Sequence, residues 1–187
     1  MLTLAEVTDL VERYGALQHP REVLCLLEFL GRRPPRLMIE VGVWRGGNAA
    51  ILATAFPGLR IIGVDELTVD SERVSDPPAL RTAVETFGIE MVTGDTRGLD
   101  TRNRVREMTG DQRADYTFID AGHDTDSVIA DFDNWRPLSR IVGFHDVHNP
   151  SVFEAWLRIT RIQEGGASPC ALWKEPDGHG IGLVMTE

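Results

Sequence analysis

The sequence has few cysteines and no long apolar run, and each absence excludes a class of protein. Its 187 residues include two cysteines, Cys25 and Cys170, far apart in apolar segments. Neither has the close cysteine or histidine spacing of a zinc motif, so we expect two reduced, buried thiols rather than a disulfide. No segment reaches the roughly 20 apolar residues of a membrane span. The N-terminus lacks the basic start and apolar core of a signal peptide, which favours a cytoplasmic protein.

Positive charge is also scarce. The chain carries 19 lysines and arginines against 29 acids, a formal net charge of −10. Recognition of a nucleic-acid backbone requires a basic face, so this balance argues against a nucleic-acid partner. Hydrophobic residues make up 42% of the chain, an ordinary share for a folded domain. We therefore expect an enzyme of small molecules, with neither nucleic acid nor membrane as partner.

Short apolar runs alternate with helical patterns along most of the chain. Five runs have the length and composition of strands buried on both faces. These predicted strands cover 37–41, 60–64, 89–93, 114–119 and 140–144. The helices predicted between and after them cover 48–56, 79–87, 98–109, 125–135 and 151–163, with a polar loop over 66–78 and a closing hairpin over 170–174 and 180–186. This alternation predicts an α/β fold with a parallel sheet covered on both faces by helices.

Two further helices are predicted before the first strand. Thr3 and Glu6 have the spacing of a capping box, and Pro20 suits the first turn of the second helix. We expect a single domain over 1–187, in which 1–33 hold these helices and 36–187 form the ligand-binding core.

Glycines and polar side chains follow the predicted strands where each strand ends, and in parallel sheets ligands bind beyond these ends. The first strand continues as Glu40-x-Gly42-x-x-x-Gly46. Gly42 allows a sharp turn and the close approach of a ligand. The helix that opens at Gly46 offers free N–H groups to a carboxylate or phosphate. Trp44 lies inside this loop and is placed to border the same pocket.

Acids end the next two strands. Asp65 follows the second strand, where a carboxylate can accept hydrogen bonds from both hydroxyls of a ribose. Asp95 follows the third, where it could accept a hydrogen bond from an adenine amino group. Each acid could instead be a helix cap or a solvated loop residue.

The series EVGVWRGG, GVDE, GDT, FIDAGH and GFHD resembles the class I S-adenosylmethionine-dependent methyltransferases. More narrowly, it is similar to small bacterial O-methyltransferases related to the metal-dependent sugar and macrolide enzymes. The resemblance implies a Rossmann-like, doubly wound, seven-stranded sheet of order 3-2-1-4-5-7-6, with the last strand antiparallel. It also implies S-adenosylmethionine as cofactor. Its expected contacts are Glu40, Gly42, Trp44, Gly46, Asp65, Asp95 and Asp120.

In that fold the fourth and fifth strands are neighbours, so Asp120, His145 and Asp146 would converge beside the transferred methyl group. Two carboxylates and an imidazole suit a divalent cation. His145 stands where an acid is usual in the metal-dependent relatives, which leaves room for Mn²⁺ as well as Mg²⁺. His123, three residues after Asp120, is the candidate general base. The alternative for all four residues is a structural role as caps or hydrogen-bonding partners.

The expected reaction is therefore methyl transfer to a hydroxyl of a small molecule, such as a sugar or a phenol. A metal-dependent hydrolase built from Asp120, His123, His145, Asp146 and His148 is one alternative, but it leaves the glycine loop and Asp65 unexplained. A non-catalytic module that binds S-adenosylmethionine is another. The sequence contains no large inserted cap, so the pocket is either open or completed by a neighbouring subunit of a homo-oligomer through the N-terminal helices.

Overall fold

The computed structural model describes residues 2–67, 77–110, 112–161 and 167–186. The strands in these residues are β1 (Leu37–Val41), β2 (Arg60–Asp65), β3 (Glu90–Thr93), β4 (Tyr116–Ile119), β5 (Ile141–Phe144), β6 (Ala167–Trp173) and β7 (Ile181–Thr186). They form one sheet of order β3-β2-β1-β4-β5-β7-β6. Strands β1 to β5 are parallel, whereas β7 is antiparallel to both β5 and β6. The predicted fold class and strand order are confirmed.

Helices cover both faces of this sheet. They are α1 (Leu4–Tyr14), α2 (Pro20–Gly31), α3 (Gly47–Ala55), α4 (Pro77–Phe87), α5 (Leu99–Thr109), α6 (Thr125–Trp135) and α7 (Pro150–Arg161), with a short 3-10 turn at Arg136–Leu138. One core cluster joins α1–α4 to the sheet, and the other joins α5–α7 to the opposite face. Neighbouring β1 residues enter different clusters, Met38 the first and Ile39 the second. The strand is therefore buried on both faces, as its continuous apolar run predicts.

Some predicted boundaries differ from the observed ones. Helix α4 begins at Pro77 rather than at residue 79, because the first helical turn tolerates proline. Strand β4 begins at Tyr116 rather than at Ala114, which forms only an isolated bridge with Ser139. Strand β6 begins three residues earlier than predicted. Most of the predicted loop over 66–78, and the last two residues of the helix over 151–163, lie outside the described residues.

The N-terminal helices are capped locally. The Thr3 hydroxyl accepts a hydrogen bond from the Glu6 N–H at 3.3 Å, and the Glu6 carboxylate accepts one from the Thr3 N–H at 2.7 Å. This is the predicted capping box. His19 caps α2, since its Nδ1 accepts from the Arg21 N–H at 3.3 Å. The residues between the two helices are thereby held beside the sheet, where they reach the site described below.

Two other expectations concern the cysteines and the membrane. Cys25 and Cys170 are both free thiols, in accordance with the sequence, and both are partly buried. Among the described residues, no helix has the length and apolar character needed to cross a bilayer.

Candidate active site

A cavity of about 800 Å³ opens beyond the C-terminal ends of the parallel strands. It lies where β1 has β2 on one side and β4 on the other, which is the switch point at which such sheets bind ligands. The predicted site residues that line it are Glu40, Gly42, Trp44, Asp65, Asp120, His123, His145 and Asp146. Two predicted residues, Gly46 and Asp95, do not line it. The cavity therefore collects most of the strand-end residues singled out from the sequence.

The loop after β1 approaches the end of β4 very closely. Gly42 has φ of +86°, and a Cβ there would collide with the carbonyl oxygen of Asp120. Gly46, the N-cap of α3, has φ of +78°. Trp44 also has a positive φ, 48°, which is uncommon for a bulky residue. The loop is thus wound tightly against the neighbouring strand end, with the first N–H groups of α3 at the cavity.

Glu40 is buried beneath this loop. One of its carboxylate oxygens accepts a hydrogen bond from Asn48 Nδ2 at 2.7 Å. The other oxygen, and the amide oxygen of Asn48, have no partner of normal geometry among the described residues. Burial, opposed by the Asn48 hydrogen bond and reinforced by the carboxylates of Asp120 and Asp65, raises the pKa of Glu40 to about 8. The carboxyl oxygen without a partner lies at a cavity wall and is suited to a cationic group of a ligand.

Asp65 holds the glycine loop. Its Oδ2 accepts hydrogen bonds from the N–H groups of Val43 at 2.8 Å and Trp44 at 3.1 Å, and its Oδ1 accepts from Leu67 N–H at 2.9 Å. A carboxylate oxygen can accept two hydrogen bonds, so Oδ1 retains capacity for one more. Asp65 therefore joins the ends of β1 and β2 and still faces the cavity.

The structure does not bring Asp95 into the cavity. Its side chain is exposed, and Oδ1 accepts hydrogen bonds from Arg97 N–H at 3.0 Å and from Arg97 Nε at 3.2 Å. The Arg97 N–H is the largest cause of its lowered pKa. The next residue, Thr96, faces the cavity instead. A local turn at the end of β3 thus directs Asp95 toward solvent.

An acid that the sequence analysis did not consider lies at this end of the cavity. Asp131 of α6 is 1% exposed, and neither carboxylate oxygen has a partner of normal geometry among the described residues. Burial raises its pKa to about 6, and the nearby Thr96 hydroxyl and Arg97 guanidinium oppose the shift. The sequence did contain an indication that Asp131 is buried. It lies three residues after the apolar Val128, so the two side chains share one face of α6.

The ends of β4 and β5 bring Asp120 and His145 into contact. His145 is almost fully buried, and its Nδ1 lies 3.0 Å from Asp120 Oδ1. The other oxygen of Asp120 accepts from Gln18 Nε2 at 3.0 Å. Burial lowers the pKa of His145, but the carboxylates of Asp120 and Asp146 outweigh this effect and the net pKa is raised. The segment between α1 and α2, which supplies Gln18, therefore forms part of the site, although its sequence gave no indication of this.

Asp146 is contacted by three histidines. Its Oδ2 lies 3.3 Å from His123 Nδ1, while its Oδ1 lies 3.4 Å from His145 Nδ1 and 2.9 Å from His179 Nδ1. The rings of His145 and His179 stack with centroids 5.3 Å apart. His179 was not predicted. Because β7 is antiparallel to β5, the turn that precedes β7 lies beside the C-terminal end of β5. A prediction based on this strand pairing would have placed His179 near Asp146.

His148, which the hydrolase alternative placed in the site, has another role. Its Nδ1 lies 2.6 Å from the carbonyl oxygen of Gly178, and it does not line the cavity. The contact fixes the turn between β6 and β7.

A sequence model of a family described as a methyltransferase domain matches residues 39–149. These residues are more than half of the chain and include every strand-end residue predicted for the site. The chain belongs to this methyltransferase family. The resemblance to the class I S-adenosylmethionine-dependent enzymes is thereby confirmed. No curated protein sequence matches the chain.

Solved structures similar to this methyltransferase have the same fold at low sequence identity. One is an O-methyltransferase from Bacillus cereus in complex with SAH, with a TM-score of 0.66, 18% identity, and coverage of 98% of this chain and 90% of that one. Another is the O-methyltransferase TomG from Streptomyces achromogenes, involved in tomaymycin synthesis and in complex with SAM. Its TM-score is 0.65 and its sequence identity is 18%, and the match covers 98% of this chain and 88% of TomG.

The cluster at β4 and β5 of this methyltransferase has the composition of a metal site. Two groups of three side chains have donor atoms that all lie within 4.8 Å of one another: His145, Asp146 and His179, and Asp120, His123 and Asp146. The trio predicted from the sequence, Asp120, His145 and Asp146, is divided between these groups. Each group gains a histidine, so the donors are richer in imidazole than Mg²⁺ prefers.

Proposed function

We propose that this methyltransferase transfers the methyl group of S-adenosylmethionine to a hydroxyl oxygen of a small molecule, assisted by a divalent cation. The observation that carries the proposal is the convergence in one cavity of two different sets of side chains. One set, with Glu40 and Asp65, suits an amino acid joined to a nucleoside. The other, with Asp120, His123 and Asp146, suits the deprotonation of a hydroxyl group.

The cofactor end of the cavity fits S-adenosylmethionine. The unpaired oxygen of Glu40 can accept from an ammonium group, and the N-terminus of α3 suits the carboxylate of the methionine part. The remaining capacity of Asp65 Oδ1 suits a ribose hydroxyl. At the far end Asp131, rather than Asp95, is available to the amino group of a purine.

The sulfonium centre of S-adenosylmethionine supplies a methyl group that is already electrophilic, so the protein has to prepare and align the acceptor. His123 is 46% exposed at the cavity and is oriented by Asp146 at 3.3 Å. Its Nε2, the ring nitrogen that does not contact Asp146, would take the proton of an acceptor hydroxyl. A divalent cation held by Asp146 and its neighbouring donors would lower the pKa of that hydroxyl. The main contribution of the chain to the transfer step is alignment.

The acceptor class is also part of the proposal. The similar solved structures include CalS11, described as a TDP-rhamnose 3′-O-methyltransferase of calicheamicin biosynthesis, as well as TomG. These descriptions support a hydroxyl of a secondary metabolite as the acceptor. A homo-oligomer formed through the N-terminal helices stays a prediction.

The test is transfer of a labelled methyl group from S-adenosylmethionine to a panel of catechols, phenols and nucleotide-linked sugars, with and without added metal ions. Labelled methyl ether in any of these acceptors would support the proposal. Binding of S-adenosylmethionine without transfer to any acceptor would favour the binding module. Metal-dependent hydrolysis of a generic phosphoester, without affinity for S-adenosylmethionine, would favour the hydrolase, which membership of a methyltransferase family argues against.

Replacing His123 with alanine is expected to lower kcat by about 10²- to 10⁴-fold, the usual contribution of a general base. Affinity for S-adenosylmethionine should change little, because His123 lies on the acceptor side of the cavity. Single-turnover methyl transfer and calorimetric titration of the cofactor would measure the two effects. The control is Asp126→Ala, which removes an exposed acid of the first turn of α6 that does not line the cavity. A variant with normal kcat would exclude His123 as the base.

Replacing Asp131 with asparagine is expected to weaken binding of S-adenosylhomocysteine by about tenfold, because a charged acceptor at the purine end is lost. The matched control is Asp95→Asn, which changes an acid of the same region that is turned toward solvent. It should bind the cofactor product normally. The opposite result, a loss in Asp95→Asn alone, would restore the assignment made from the sequence.

A further inference from the structure

The histidines around Asp146 carry an inference about which ion the site accepts. We propose that His145, Asp146 and His179 form a two-histidine, one-carboxylate centre that selects a zinc- or ferrous-type ion over Mg²⁺. The inference deepens the proposed function, since that function requires a cation near the acceptor. It differs from the sequence prediction in its ligands, because His179 replaces Asp120, and in the class of ion.

The first support is the geometry of the three donor atoms. His179 Nδ1 lies 2.9 Å and His145 Nδ1 lies 3.4 Å from Asp146 Oδ1. Ligands bound to one ion at about 2.0–2.2 Å in tetrahedral or octahedral geometry are separated by roughly 3 to 3.5 Å. The pairs that involve Asp146 therefore already have ligand-to-ligand separations. Two of the three residues are adjacent in sequence, and the sheet pairing delivers the third.

The second support is that His179 is held in place by buried groups away from the site. Glu22 of α2 is fully buried, and its carboxylate accepts hydrogen bonds from the Gly180 N–H at 3.0 Å and the Glu175 N–H at 2.8 Å. The His148 N–H donates to the carbonyl oxygen of His179 at 2.8 Å. The turn between β6 and β7 is therefore fixed on both sides of His179. These contacts hold the backbone on either side of His179 and so keep its side chain beside Asp146.

The third support is the charge and hydrogen-bonding balance. If His145 Nδ1 carries a hydrogen, that single N–H is shared between Asp120 at 3.0 Å and Asp146 at 3.4 Å. Asp120, Asp146, Glu40 and Asp65 all border the same cavity. A cation beside His145 would be attracted by the carboxylates of Asp120 and Asp146, the two acidic side chains that His145 Nδ1 approaches.

The donor set determines the class of ion. Mg²⁺ requires near-octahedral oxygen ligands and retains water, whereas imidazole suits Zn²⁺, Fe²⁺ and Ni²⁺. Two histidines and one carboxylate are a recurrent set for catalytic zinc and for non-haem ferrous ions, both of which keep positions open for substrate. Asp146 and His179 line the cavity, so the open positions would face the acceptor.

The experiment titrates the full-length, chelator-treated protein with Zn²⁺ and separately with Mg²⁺ by calorimetry. We expect Zn²⁺ to bind at least about 100-fold more tightly than Mg²⁺. His179→Ala should weaken Zn²⁺ binding by about 100-fold, since even the loss of an outer contact to a ligand costs 10- to 100-fold. His123→Ala is the comparison variant: it removes only a contact to the other oxygen of Asp146, so it should weaken Zn²⁺ binding less than His179→Ala does. With Cu²⁺ as probe, pulsed electron paramagnetic resonance should detect two coordinated imidazoles in the wild type and one in His179→Ala.

Equal affinities for Zn²⁺ and Mg²⁺, or unchanged Zn²⁺ binding in His179→Ala, would overturn the inference. If His123→Ala alone lost Zn²⁺ binding, the ion would be bound by the other group, Asp120, His123 and Asp146. The inference would then be overturned. His179→Gln provides a second variant with a more conservative side chain. Affinity for S-adenosylmethionine, measured with chelator present, separates the two proposals. Normal cofactor binding without Zn²⁺ binding would refute the proposed metal centre but would not contradict the proposed methyl transfer.

Discussion

Replacing Asp65 with alanine is expected to weaken binding of S-adenosylmethionine by at least about 100-fold. The substitution removes two functions of the Asp65 side chain at once. It accepts three hydrogen bonds from the N–H groups of Val43, Trp44 and Leu67, and its Oδ1 is the expected acceptor for a ribose hydroxyl. A hydrogen bond to a charged group contributes about 1.5–3 kcal/mol, so the lost ribose bond and the lost anchor of the glycine loop together account for the predicted loss. Calorimetric titration of the cofactor would measure it.

The same substitution should lower the melting temperature of the ligand-free protein, because the glycine loop loses its anchor. Asp65→Asn separates the two functions in part, since the amide oxygen can still accept from the loop but has no charge. We expect it to retain more thermal stability than alanine and to bind the cofactor weakly. Asp133→Ala, which removes an exposed acid paired with Arg136, is the control. Wild-type affinity in Asp65→Ala would contradict the assignment of the cofactor end.

The sheet was predictable because its strands have a simple pattern. Parallel strands covered on both faces are continuous apolar runs, and this pattern alone located β1 to β5 to within two residues at each end. The order of the strands could be predicted only from the resemblance to the methyltransferase family. An apolar run such as 141–144 does not indicate which strand lies beside it. Helix α6 was predicted with its observed bounds, since Asp124 is a strong N-cap whose side chain accepts from the Ser127 N–H.

The site was predictable only where a side chain lies at a strand end. Asp120 and Asp146 face the cavity because they lie one and two residues beyond buried strands that are neighbours. Asp95 also follows a strand, but a hydrogen bond to the Arg97 N–H turns its side chain outward, and sequence position does not reveal this. Asp131 and His179 reach the cavity through tertiary packing of α6 and of the turn before β7. Residues of this kind become visible only when the elements are assembled.

Replacing Glu40 with glutamine is expected to change cofactor affinity and the stability of the ligand-free protein in opposite directions. The variant keeps the shape and the contact with Asn48 but removes the charge. Affinity for S-adenosylmethionine should fall by about 10- to 100-fold, because a buried carboxylate no longer faces the ammonium group. In the ligand-free protein the variant should be the more stable form at pH 8, because glutamine cannot stabilise the unfolded state by releasing a proton as Glu40 does.

The pH dependence follows from the pKa of Glu40, which burial raises from 4.5 to about 8. Between these values the native state holds a proton that the unfolded state has lost, so the contribution of this group to stability falls as pH rises through the window. The melting temperatures of wild type and Glu40→Gln should therefore be similar below pH 4.5 and diverge as pH rises toward 8. Calorimetric melting across this range would measure the divergence.

Glu28→Gln is the matched control, because it makes the same chemical change at an exposed position of α2. It should alter neither the cofactor affinity nor the pH dependence of melting. If Glu40→Gln bound S-adenosylmethionine as tightly as the wild type, the cationic end of the cofactor could not lie at Glu40. If the two melting curves stayed parallel from pH 4.5 to 8, the carboxyl group would not be protonated in the native ligand-free protein. Tight binding would then require no proton release from Glu40, and cofactor affinity would be independent of pH over the same range.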